Sequence, residues 1–136
     1  MDKQEMKKEL AKEAVKLIKE FRKLNEILGD NIFTSVRANR SGSKIIIEHM
    51  YQGKLEYDLE EVSTVLEDEI EGFAPCGSAF YDTFDLAVDE LDYEYKKKSK
   101  KEFMDYVGKL YFMKFRCEEI YNRLKEIDIE AGNILE

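Results

Sequence analysis

Ten apolar residues near the end of the chain constrain its fold more than anything else in it. Phe103, Tyr106, Leu110, Met113, Cys117, Ile120, Leu124, Ile127, Ala131 and Ile134 follow one another in alternating steps of three and four. That period belongs to a helix packed lengthwise, with a left-handed twist, on another helix. A stripe of this length needs a cover of comparable length, and residues 2–28 supply one. There Leu10, Ala14, Leu17, Phe21, Leu24 and Leu28 recur in steps of four and three, and Ala11, Val15, Ile18 and Ile27 widen the face. A wide stripe wants a core rather than a narrow seam. Asp2 with Glu5, and Ser99 with Glu102, have the spacing of capping boxes and mark the two helix starts. Gly29 ends the first helix, as glycine commonly does just past a C-terminus, and Gly132 is expected to fray the last. Val107, Tyr111, Phe112 and Phe115 crowd around Leu110, so the first half of the last helix is expected to be buried more widely than the second.

Between the helices the period changes from 3.6 to 2. Ile32, Thr34 and Val36 alternate with Phe33, Ser35 and Arg37, and Asn39-Arg40-Ser41-Gly42-Ser43 is a cluster of turn formers. Lys44 to Tyr51 holds three consecutive isoleucines, Gln52-Gly53 is a short turn, and Leu55, Tyr57 and Leu59 alternate with acids. This predicts a three-stranded antiparallel meander with one face buried, too small to stand without a helix against it. Asp58 with Glu61 reads as a further helix start, with Val62, Leu66, Ile70 and Phe73 on one face. After a loop at 72–78, Ser78 caps a third helix whose inner face is Phe80, Phe84, Val88, Leu91 and Tyr95. The expected fold is therefore α+β: a long N-terminal helix, a three-stranded antiparallel meander, then three helices, with the long C-terminal one packed on the first. Residues 1–136 read as a single domain, since a chain this size buries enough surface for a core of its own.

Charge is distributed unevenly. Between Leu55 and Tyr95 stand fourteen carboxylates and no Lys, Arg or His, while the flanking stretches are each net basic, so the middle third alone makes the chain −8. Like charges on short helices repel, by a few tenths of a kcal/mol per pair. On the third expected helix Asp82, Asp85, Asp89 and Asp92 fall on one flank. They advance about 5 Å per carboxylate, of the order of the ~3.4 Å axial spacing of phosphates on one nucleic-acid strand. Glu60, Glu67, Asp68 and Glu71 do the same on the outside of the second. Two such rows would fit the basic groove of a DNA- or RNA-binding protein. The plainer reading is a solvated acidic face that favours solubility.

Other chemistry is weakly signalled. The acids lack the alternate-position, glycine-centred loop of a calcium site, and two cysteines with one histidine do not make a zinc site. His49, on the same strand face as Ile45, Ile47 and Tyr51, has no nucleophile or acid beside it in sequence and reads as a structural histidine. Cys117 belongs to the apolar stripe, and Cys76 lies in the Pro75-Cys76-Gly77 loop. No glycine-rich phosphate loop is present. Lys96, Lys97, Lys98, Lys100 and Lys101 form a basic junction, and Arg37, Arg40 and Lys44 a smaller patch. The net charge argues against general nucleic-acid binding, which draws its affinity from phosphate neutralisation. No catalytic, metal or cofactor residues are assigned. Met1 to Lys8 does not resemble a secretory signal and no apolar run is long enough for a membrane span, so a reduced, cytoplasmic protein is expected.

In size and charge the chain resembles small phage-encoded inhibitors that mimic DNA, such as some anti-CRISPR proteins. The resemblance rests on composition and carries no residue across. Charge and helical spacing together give the expectation of a non-enzymatic interaction protein, an inhibitor with Glu60, Glu67, Asp68, Glu71, Asp82, Asp85, Asp89 and Asp92 facing a basic protein partner. No direct nucleic-acid or membrane contact is expected. The alternative is a structural or assembly protein that forms a homodimer through its C-terminal helix, at Ile120 to Ile134, with the acidic face serving only solubility.

Overall fold

The structure is a computed structural model and describes residues 2–25, 33–49, 53–66 and 99–135. Helix α1 spans Lys3–Asn25, strands β1, β2 and β3 span Phe33–Ala38, Lys44–His49 and Gly53–Asp58, and helix α2 spans Lys100–Leu135. The fold is α+β, as the two hydrophobic periods require. Among the described residues one α-helix follows the sheet, where three were expected. Residues 67–98, which hold the third expected helix and the end of the second, lie outside the described ones.

Both long helices start where their caps place them. The Glu5 N–H donates to Asp2 Oδ1 at 2.8 Å, and the Glu102 N–H donates to Ser99 Oγ at 3.3 Å. Each such bond satisfies one of the backbone donors a helix leaves open at its N-terminus. Gly132 does not fray α2, which continues to Leu135.

The sheet has the order β1-β2-β3, antiparallel throughout, with Val36 opposite Ile47 and Ile47 opposite Leu55. An irregularity between Phe33 and Ser35 re-registers the start of β1. Val36, Ile45, Ile47 and His49 are buried, and β2 as the central strand contributes most of that face. The Asn39–Ser43 turn is held by its own polar groups. Asn39 Oδ1 accepts from the Lys44 N–H at 3.1 Å, and Asn39 Nδ2 donates to Ser43 Oγ at 3.0 Å. Gly42 sits at φ +76° and a Cβ there would stand 2.9 Å from Lys8 Cα. Glycine is needed twice over, for the left-handed backbone and for the approach of the turn to α1. Gln4 Nε2 donates to the Ser41 carbonyl at 2.9 Å and closes the same contact.

One continuous core runs through all these elements, including Ala14, Ile18 and Phe21 of α1, Ile45 and Ile47 of β2, and Leu110, Met113, Cys117, Ile120, Leu124, Ile127 and Ala131 of α2. The stripe that defined α2 in sequence is thus covered within the chain.

After β3 the chain makes a 3-10 turn, Leu59–Glu61, and not the regular helix start expected from Asp58 and Glu61. Asp58 makes no side-chain cap. Leu59 instead donates its N–H to the Ser43 carbonyl at 2.9 Å, and i to i+3 bonds continue to Leu66. Leu59, Val62, Val65 and Leu66 are fully buried. Four apolar side chains in eight residues are thus brought inward on tight turns.

Candidate interaction surface

Of the eight acidic residues singled out in sequence, Glu60 lies among the described residues, half-buried on the 3-10 turn. Glu67, Asp68, Glu71, Asp82, Asp85, Asp89 and Asp92 lie outside them, as does Cys76. The described start of the acid-only block is not uniformly anionic. Glu56 reaches Lys44 at 3.8 Å and Lys54 at 3.9 Å across the outer face of the sheet. Asp58 and Glu61 are exposed.

The chain enters the rest of the block from a clamped position. The Ser63 N–H donates to Asp128 Oδ1 at 3.1 Å, and the Ser63 hydroxyl donates to Asp128 Oδ2. This ties the turn to the second half of α2. Burial pushes the Asp128 carboxyl above its usual range, against the pull of these hydrogen bonds. The described chain resumes four residues past the end of the block, at Ser99, the cap of α2.

The helix pair carries the other charged cluster. Arg116 donates from Nε and Nη2 to the two oxygens of Glu20, at 2.7 and 2.8 Å. Two turns along, Arg123 donates to both oxygens of Glu13, at 2.6 and 2.8 Å, and also to Glu126 at 3.1 Å and Glu130 at 3.0 Å. Seven residues on in one helix is seven back in the other, so α1 and α2 are antiparallel and these forks set their register. Planar two-bond pairing of this kind is the stronger form of ion pair. Hydrogen bonding to the guanidinium holds Glu13 below the usual carboxylate range, and Arg116 does the same to Glu20. Nothing in the sequence distinguished these arginines from solvated helix charges. Their signal is the repeat of Glu at 13 and 20 against Arg at 116 and 123.

His49 is buried on the inner face at the end of β2, as a structural histidine would be. Burial pushes the Cys117 thiol up to about 12, which leaves it an un-ionised core residue. Among the described residues no group of three His, Cys, Asp or Glu is placed to hold a metal ion, and no described helix is long and apolar enough to cross a membrane. An open groove of about 960 Å³ lies between the start of α1 and the end of α2, lined by Met6, Leu10 and Ile134 but rimmed by both signs of charge.

The expected wide burial of the first half of α2 is overturned. Leu110 and Met113 are inside, but Met104, Tyr111, Phe112 and Phe115 face solvent. Their positions place them on the side of α2 opposite the buried stripe, away from the core of the described residues. Comparison with protein-family models, curated proteins and solved structures gives no match. The functional argument therefore rests on the chain's own chemistry.

Proposed function

We propose that this protein acts by binding and not by catalysis, as an inhibitor whose acid-only block occupies the basic nucleic-acid site of another protein. One observation carries the reading: fourteen carboxylates between Leu55 and Tyr95 without a base among them. A stretch that long with no base of its own works against its stability, and a cationic partner relieves it. The residues assigned to the contact are Glu60, Glu67, Asp68, Glu71, Asp82, Asp85, Asp89 and Asp92. The anchoring of the chain within the first part of the block, at the buried Leu59–Leu66 turn, and beyond its end, at the Ser99 cap, supports a fixed base for such a contact. Association would be steered by charge, fast at low salt and weaker at high salt.

The test is capture of partners from host lysate with the purified chain, eluted by salt, followed by titration of the recovered protein. A nucleic-acid-binding protein is expected in the salt eluate. Its affinity should fall at least tenfold when Asp82, Asp85, Asp89 and Asp92 are all changed to Asn, with circular dichroism unchanged. Unchanged affinity in that variant refutes the reading.

A further inference from the structure

The outward side of α2 carries a second heptad stripe. Met104, Gly108, Tyr111 and Phe115 recur in steps of four, three and four, and Phe112 stands beside them. At about 100° per residue all five fall within roughly 60° of one line along the helix. The four side chains other than glycine are 47–62% exposed. A contiguous apolar strip on a water-facing helix, with a small residue at its middle, marks a docking face.

The charges at its ends say what docks there. Lys100 and Lys101 stand at the N-terminal end of the strip and Glu118 and Glu119 at the C-terminal end. A second α2 laid antiparallel puts each lysine pair against a glutamate pair, once at either end. In the same register Met104 meets Phe115 and the open space at Gly108 receives Tyr111 of the other copy. A Cβ at Gly108 meets nothing within 4 Å among the described residues, which leaves room for a side chain of the other copy. A parallel pair would set lysine on lysine and glutamate on glutamate. We infer that two copies of this chain associate through the outer face of α2, antiparallel about a two-fold axis between Lys109 and Leu110. This uses a face of α2 other than the buried stripe, and it does not depend on the acidic reading. The apolar strip from Met104 to Phe115 is about 17 Å long and its charged ends extend the face to about 28 Å, so the interface lies at the small end of specific ones and a weak dimer is expected.

Sedimentation equilibrium of the full chain, from about one to several hundred micromolar, tests this. A monomer–dimer equilibrium is expected. Phe115→Lys should abolish it. Lys101→Glu and Glu119→Lys should each raise Kd about tenfold, since the two-fold axis repeats each like-charge clash, and the double variant should return to the wild-type Kd. All these positions are exposed, and circular dichroism checks that the fold is kept. A chain that stays monomeric across the range overturns the proposal, whether another segment or a different protein covers the strip. So does a dimer indifferent to Phe115→Lys, or one that the paired swap does not restore.

Discussion

The two sides of α2 are built from the same kind of residue at the same spacing and have opposite fates. The inner stripe, Leu110 to Ala131, lies against α1 and the Leu59–Leu66 turn and is essentially dry. The outer strip, Met104 to Phe115, has aromatics as large and faces water. What separates them is the rim. Along the inner stripe Arg116 and Arg123 reach across to Glu20 and Glu13, so the charges bordering it are already paired with α1. The charges bordering the outer strip lie lysine at one end and glutamate at the other, and Glu119 also reaches Arg116 on α2 itself at 3.9 Å. Heptad regularity therefore locates a contact face without saying which molecule supplies the other half; the flanking charges do that.

The largest break in this comparison comes from the inner stripe. Leu124→Ala should cost about 3–5 kcal/mol in urea unfolding, because the cavity cannot collapse between two helices. Phe115→Ala, by contrast, should change monomer stability by less than about 0.5 kcal/mol. Near-equal losses would mean that the outer strip is a core face after all.

The rim comes next. Arg123→Met should cost about 1–2 kcal/mol near neutral pH, more than an ordinary surface pair because three carboxylates are left facing one another. Glu13 and Glu20 titrate below their usual 4.5 when folded. The stability they confer is present above that value and is lost as pH falls through their folded values. The Arg123→Met deficit should therefore shrink on acidification, as followed by urea melts at pH 7 and pH 3. A deficit independent of pH would show that Arg123 contributes through its packing alone.

Asp128 has the opposite sign. Its folded value lies above the usual 3.8, so its contribution is full below 3.8 and is lost as pH rises through the folded value. Asp128→Asn should flatten the pH dependence in that window. The change should be about 1 kcal/mol or less, because Ser63 keeps one acceptor. The smallest effect belongs to Gly132→Ala, an open helical position, which should gain about 0.5–1 kcal/mol. A loss there would mean that a close neighbour occupies that side of α2.

Much of the frame was legible because it follows from local chemistry. Asp2 and Ser99 cap the two helices, Asn39 to Ser43 form the turn, and the alternation of Val36, Ile45 and Ile47 picks out the buried side of the sheet. What was missed depends on distance along the chain. Asp58 and Glu61 imitate a cap, but Leu59 is drawn to the Ser43 carbonyl, and no window of neighbouring residues reveals that. Ser63 and Asp128 are 65 residues apart, and neither is unusual alone. Phe112 and Phe115 were assigned to the interior because their hydrophobicity was weighed without their angle around α2. For the acidic surface only Glu60 has a described position, so that assignment still stands on charge and spacing.

Gly42 also has a consequence in time. The turn that it seats on Lys8 joins α1 to the hairpin across fewer than forty residues, a short loop to close. The Arg123–Glu13 fork spans 110, and bringing distant segments together costs more chain entropy before any contact rewards it. Helix α1 and the hairpin should thus assemble first and α2 dock upon them, so that Gly42→Ala slows refolding while Arg123→Met chiefly speeds unfolding.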